Sequence, residues 1–293
     1  MEGRDADRRV FVIGPRWLEA SMGKYDSSRT RISPVFTQLD QRDATGLSWL
    51  PALLSLPMHG RRESNVAPVG PIRATYWTAT DGPGGLVRRR EKALRAPESL
   101  LHWMIDNTDK LVQPENRADV GAHGLRQELF RGDAKRVTEA QDGVRSGERG
   151  RNWYVFEGPT FPDVYIETDE LVVVIEGKRR ESGPTTKTTW MKTRHQMLRH
   201  MDCAFDLLKG RSLVGFFIVE GEREESDAVD LPPKWKKYCE ATTSEEAVAG
   251  SLPHRDEETR KAITKSFAGA TTWQAVCGAL NVSYAGLRVT VDG

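Results

Sequence analysis

Pro162-Asp163-Val164-Tyr165-Ile166-Glu167-Thr168-Asp169-Glu170-Leu171-Val172-Val173-Val174-Ile175-Glu176-Gly177-Lys178 is the stretch on which the reading of this chain turns. Two runs of strand length, 162–167 and 171–176, flank the short polar connection Thr168-Asp169-Glu170, the pattern of a β-hairpin. Leu171 to Ile175 is apolar without alternation, as in a strand buried on both faces. An acid opens the first strand, and an acid and a lysine close the second. Side chains two apart along a strand share a face, so Glu176 and Lys178 project together, Gly177 projects opposite, and Asp163 can face them across the hairpin. Charged groups at the end of such a run are costly unless they meet one another, a metal ion or solvent.

Working outward, Ser182-Gly183-Pro184 breaks the chain, and 187–209 reads as one long amphipathic helix with Trp190, Met197, Met201, Phe205 and Leu208 on its apolar stripe. A buried strand over 212–219 follows. Before the hairpin, 153–157 reads as another strand, while 98–112 and part of 120–131 read as helices. The order is helix, three strands, long helix, strand, which predicts an α/β fold with a mixed central sheet flanked by helices. Residues 1–97, rich in Pro, Gly and Arg with strand-like pieces at 10–13 and 74–80, read as an accessory region attached to a core over 98–222. Residues 223–293 read as a mostly helical extension, with helices at 234–240, 257–267 and 272–280 and a last strand at 287–291.

Composition bounds the function. The chain has 293 residues, 38% hydrophobic and 29% charged, with 43 Lys+Arg against 42 Asp+Glu. That is enough to bury a sizeable core, and a small stapled scaffold is excluded. The three cysteines, Cys203, Cys239 and Cys277, lie far apart, so neither a metal knuckle nor a disulfide framework is visible. The longest apolar runs are too short to span a bilayer, and the mixed-charge N-terminus does not fit a secretory signal; a cytoplasmic protein without a membrane partner is expected. Charge is nonetheless uneven. Between Lys178 and Arg211 nine basic residues stand against three acidic ones, a pattern that suits a polyanion or, equally, a solvated helix face.

Two carboxylates converging on one point offer the hard oxygens that Mg²⁺ takes together with waters and phosphate oxygens. An adjacent lysine can orient or deprotonate an attacking water, or offset charge developing on phosphorus. The set fits metal-assisted phosphodiester hydrolysis. Other chemistries lack their residues: His195 and His200 are five apart and not spaced as helix zinc ligands, Gly82-Pro83-Gly84-Gly85 has no Gly-Lys-Ser/Thr after it, and Cys203 reads as a core residue.

Pro162-Asp163 and Glu176-Gly177-Lys178 resemble the signature of the PD-(D/E)XK nuclease superfamily, the restriction-endonuclease-like fold, and the resemblance covers about 125–219 with the same order of elements. It implies that Asp163 and Glu176 bind the metal, that the Gly177 carbonyl is a further ligand and that Lys178 is the catalytic lysine. It implies Mg²⁺ as cofactor, with Mn²⁺ able to substitute. An additional acid from the helix before the sheet is expected, with Glu128 best placed and Glu157 in reserve. RecB-type members also carry a Gln-x-x-x-Tyr pattern after the lysine; Gln196 fits it, but His200 stands where the tyrosine would be. Spacing of four puts Lys192, Gln196 and His200 on one side of the expected helix.

Arg179, Arg180, Lys187, Lys192 and Arg194 are the expected nucleic-acid contacts. The expectation is a Mg²⁺-dependent endonuclease acting on DNA, with RNA left open, in restriction, phage defence, recombination or repair. Cutting both strands of a duplex would be easiest for a homodimer, and a protein partner in a larger system is left open. The alternative is a nucleic-acid-binding or assembly module that keeps the fold but does not cut.

Overall fold

The computed structural model describes residues 27–56, 58–60, 69–80, 87–89, 91–112, 127–147, 157–179, 181, 183–185, 187–188, 190–222 and 230–287. In chain order the strands are β1 (His59–Gly60), β2 (Ala74–Thr80), β3 (Val87–Arg89), β4 (Val164–Glu167), β5 (Leu171–Gly177), β6 (Ser212–Val219) and β7 (Phe267–Thr272). They form one sheet in the order β1-β7-β6-β5-β4-β2-β3. β4 is antiparallel to both β2 and β5, whereas β5, β6 and β7 run parallel. The sheet is mixed and the class is α/β. No helix among the described residues is long and apolar enough to cross a membrane.

The helices are α1 (Ser33–Arg42), entered through a π-helical turn at Ser28–Ile32, then α2 (Leu50–Leu54), α3 (Glu98–Asp106), α4 (Ala134–Ser146), α5 (Gln196–Phe205), α6 (Pro233–Thr242), α7 (Glu245–Ser251), α8 (Glu257–Lys265) and α9 (Trp273–Ala279). They cover both faces of the sheet, because β5 has no polar face to leave in water. Leu171, Val173 and Ile175 pack with Ile32, Phe36, Phe216 and Trp273, beneath α1, α2 and α9. Val172 and Val174 pack with Tyr165, Met197, Met201, Phe217 and Trp235, beneath α5 and α6. A third cluster joins Leu100 and Met104 of α3 to Ala140 and Val144 of α4.

The hairpin forms as expected, but its neighbours differ from the sequence reading. The strand beside β4 is β2, which belongs to the segment read as accessory, and β7 from the segment read as a helical extension pairs with β6. Both flanking segments therefore contribute strands to the central sheet. Of the expected strand at 153–157 only Glu157 is described, in a bend; 153–156, the piece at 10–13 and nearly all of 287–291 lie outside the described residues. Residues 257–267 and 272–280 hold helices at 257–265 and 273–279, with β7 between them.

The long helix expected over 187–209 is confined to 196–205. Upstream, backbone groups are used elsewhere: Gln196 N–H donates to Thr185 O at 2.8 Å, Val112 N–H to Trp190 O at 2.8 Å, and Met191 N–H to the Thr188 hydroxyl at 3.2 Å. Threonines that capture nearby N–H groups compete with helix formation in this way. Lys192 is thus on an exposed turn, and the shared helix face reduces to Gln196 and His200.

Candidate functional site

Register assembles the site. β4 and β5 pair Val164 with Ile175 and Glu167 with Val172, so one further step sets Asp163 opposite Glu176. Tyr165 and Val174 face α5, and the two-residue period carries Asp163, Glu176 and Lys178 to that same side. Gly177 faces the other side, where an added Cβ would lie 2.8 Å from Ile32 Cδ1 and 3.1 Å from Trp273 Cζ2. The position between the acid and the lysine is therefore closed to a side chain.

Glu176 Oε1 accepts from Lys178 Nζ at 2.9 Å and from Gln196 Nε2 at 2.6 Å. Glu176 Oε2 lies 3.2 Å from His200 Nε2, outside hydrogen-bonding alignment, so the contact is electrostatic only. His200 is held from its other nitrogen, with Nδ1 2.8 Å from the Thr160 hydroxyl. Asp163 Oδ2 accepts from the Gly177 N–H at 2.8 Å and Oδ1 from the Ser28 hydroxyl at 3.2 Å. The Gly177 carbonyl accepts from the Ser27 hydroxyl at 3.0 Å. Three buried polar atoms converge here without a hydrogen-bond partner: Glu176 Oε2, Gln196 Oε1 and His200 Nε2.

The two carboxyls are driven apart. Burial, reinforced by the neighbouring Glu176 charge, raises Asp163 well above the usual carboxylate range, and Lys178, the Gly177 N–H and Ser28 offset this only in part. Burial pushes Glu176 up as well, but Lys178 and His200 outweigh it and hold this carboxyl at about 2. Burial would lower Lys178, yet Glu176 and Asp163 raise it, so the amine keeps its proton at neutral pH.

As a donor set, Asp163, Glu176 and the Gly177 carbonyl are all hard oxygens, and Glu176 Oε2 makes no aligned hydrogen bond, with His200 Nε2 3.2 Å away. Mg²⁺ commonly takes only one or two carboxylates and fills its remaining positions with water and phosphate oxygens, so this chemistry fits it. Among the described residues no group of three or more His, Cys, Asp or Glu gathers as metal ligands would. Beside Glu176 opens a cleft of about 240 Å³ whose wall includes Thr160, Phe161, Thr185, Gln196, Arg199 and His200.

The remaining expected residues are distributed elsewhere. Glu128 is 44% exposed and its carboxylate pairs with Arg136 of α4. The segment that reaches Asp163 is instead the Ser28–Ile32 turn, which brings a hydroxyl rather than an acid. Glu157 is buried, accepts from Arg194 through both carboxylate oxygens, and pairs with Arg199. Arg194 is completely buried and also binds Asp202 at 2.8 Å and the Ser251 carbonyl at 2.7 Å, so it does not face a nucleic acid. Arg179 is likewise buried, donating to Glu220 and the Thr30 hydroxyl, each at 3.3 Å. Lys187 and Lys192 are exposed on the loop between β5 and α5, and Arg180 lies outside the described residues. Cys203, Cys239 and Cys277 are buried free thiols.

Sequence reasoning did not find Ser27, Ser28, Thr160 or Arg199 at this site. Arg199 and His200 carried a signal, because they lie three and four residues after Gln196 and so near it on one helical face. Ser28, 135 residues before Asp163, carried none. No family model matches the chain, and neither any curated protein nor any solved structure matches it.

Proposed function

We propose that the protein is a Mg²⁺-dependent nuclease with a restriction-endonuclease-like core, hydrolysing phosphodiester bonds of nucleic acid and foremost of DNA. The observation that carries the reading is the meeting of Glu176, Lys178 and Gln196 at the end of β5, with Asp163 immediately before β4. The topology supports it: antiparallel β4–β5, then α5, then β6 parallel to β5, follow the order that the resemblance implies, with β2 as the third antiparallel strand.

In this reading Asp163, Glu176 and the Gly177 carbonyl would hold the ion, which when bound supplies Lewis acidity and a water of lowered pKa. Lys178, kept protonated by Glu176, stabilises negative charge developing on the phosphoryl oxygens. Gln196 fixes one oxygen of Glu176; the other makes no aligned hydrogen bond, lies 3.2 Å from His200 Nε2, and would meet the ion. Ser28 and the Gly177 N–H orient Asp163. Lys187 and Lys192 remain as exposed cations for the phosphate backbone.

A second reading, a binding module that does not cut, draws on one observation: the Lys178 ammonium already neutralises Glu176 as a cation would. Cleavage of plasmid and single-stranded DNA with Mg²⁺ or EDTA separates the two. The nuclease cuts only with metal and loses cutting in Asp163→Ala; the module binds and does not cut.

A further inference from the structure

We propose that the cleft beside Glu176 is a pocket for one unpaired nucleobase, which makes single-stranded nucleic acid the substrate class of this site. The inference rests on the nuclease reading for its purpose, though not for the binding it requires.

Size is the first argument. At about 240 Å³ the cleft is below the range of pockets that enclose drug-sized ligands, and suits a single flat group with its neighbours left outside. Its wall supplies an aromatic face. Phe161 is 42% exposed, and of the large hydrophobics that stay exposed among the described residues it alone is aromatic. Pro162 and Asp163 follow it directly, so a ring stacked on Phe161 is held a fixed distance from the carboxylates. Every base has a π-face, and stacking on an aromatic side chain is how single strands are gripped without a paired partner.

The polar wall points the same way. The amide of Gln196 cannot turn around, because its Nε2 is committed to Glu176 at 2.6 Å. Its Oε1 is then a buried acceptor with no hydrogen-bond donor, on a residue that lines the cleft. Leaving an acceptor so is costly, and the edges of nucleobases carry N–H donors. Arg199 is 22% exposed on the same wall, with Nε held by Glu157 at 3.2 Å and Nη2 by the Gly158 carbonyl at 3.1 Å. Held in this way, the guanidinium offers positive charge to the phosphate attached to the base. A base within a duplex has its edge paired and both faces stacked, and enters only if it is flipped out at an energetic cost.

The test measures binding by fluorescence anisotropy in EDTA, using a labelled single strand of about twelve nucleotides and the same strand annealed to its complement. Wild type, Phe161→Ala and Phe161→Trp are compared, with thermal melts confirming that each is folded. The expected result is tighter binding of the single strand than of the duplex. Phe161→Ala should lose roughly 5- to 100-fold on the single strand, Phe161→Trp should retain it, and duplex binding should barely move. Replacing successive bases by abasic sites should lower wild-type affinity at one position and have no further effect there in Phe161→Ala. Duplex binding as tight as single-strand binding would overturn the inference, as would equal single-strand affinity in wild type and Phe161→Ala. Cleavage with Mg²⁺, run in parallel, keeps the two claims apart. Cutting that is indifferent to Phe161 refutes the pocket and leaves the nuclease, whereas Phe161-dependent binding without cutting refutes the nuclease and leaves the pocket.

Discussion

Gln196 Nε2 donates to Glu176 Oε1 at 2.6 Å and so ties the first residue of α5 to the end of β5. Lys178 Nζ uses the same oxygen at 2.9 Å, which concentrates the hydrogen bonds on one side of the carboxylate and leaves Oε2 with only the His200 Nε2 contact at 3.2 Å. Gln196 is a positioning residue in this account. Gln196→Ala should reduce cleavage by about 10–100-fold and raise the Mg²⁺ concentration needed for half-maximal rate, while folding is retained. A Mg²⁺ titration of the rate checks this, and an unchanged titration curve would count against the role.

Gly177 owes its identity to the far side of the sheet. An alanine there would press on Ile32 Cδ1 at 2.8 Å, next in the turn to the Ser27 and Ser28 hydroxyls that hold the Gly177 carbonyl and Asp163. Gly177→Ala should destabilise the fold by about 1–3 kcal/mol. Urea unfolding checks the size, and a change under about 0.5 kcal/mol would mean that the turn yields freely.

Arg194 belongs to the core's electrostatics. Its completely buried guanidinium meets Glu157 and Asp202, and Asp202 also receives Arg255 at 2.8 Å. Removing it in Arg194→Met leaves two buried carboxylates short of their cation, and a loss of about 3–5 kcal/mol is expected. Burial pushes Asp202 up, but Arg194 and its other partners hold it well below the usual carboxylate range. A depressed folded-state pKa contributes stability above the unfolded value of about 3.9, and that contribution fades as pH falls below it. Unfolding followed from pH 5 downward should show this slope in wild type and a weaker one in Arg194→Met.

His195 acts at milder acidity. Burial lowers it from 6.5 to about 4, with the nearby His200 adding to the effect. Between these values the unfolded chain takes up a proton that the native ring refuses, so stability falls as pH drops through this window, by up to roughly 3 kcal/mol. Denaturant midpoints between pH 7 and pH 4 test this, and His195→Gln should flatten the curve.

Legibility in the sequence followed how local each feature is. The hairpin, the shared face of Glu176 and Lys178 and the facing of Asp163 came from a two-residue period and a short turn, and the register of β4 on β5 has that form. Gln196 was found through the resemblance, and its bond to Glu176 places it there. What failed depended on distant partners. The basic segment offered Arg194 and Arg179 as phosphate contacts, but Glu157, Asp202 and Glu220 draw both inside. Ala74–Thr80 read as a strand without an assigned neighbour, because nothing local ties it to β4. Phe267–Thr272, with its Ala-Gly-Ala centre, has too little apolar bulk to stand out from the helices on either side, yet it lies buried against β6.

The central claim is that the group at the ends of β4 and β5 is a metal-dependent phosphodiesterase. The most direct measurement is cleavage of supercoiled plasmid and single-stranded DNA by the purified protein with Mg²⁺, Mn²⁺ or EDTA, beside Asp163→Ala and Lys178→Ala. The expected result is cutting with either metal and none with EDTA, reduced by about 10²–10³-fold or more in both variants while their folding and nucleic-acid binding persist. Cutting that survives EDTA, or that persists undiminished in Lys178→Ala, would contradict the account.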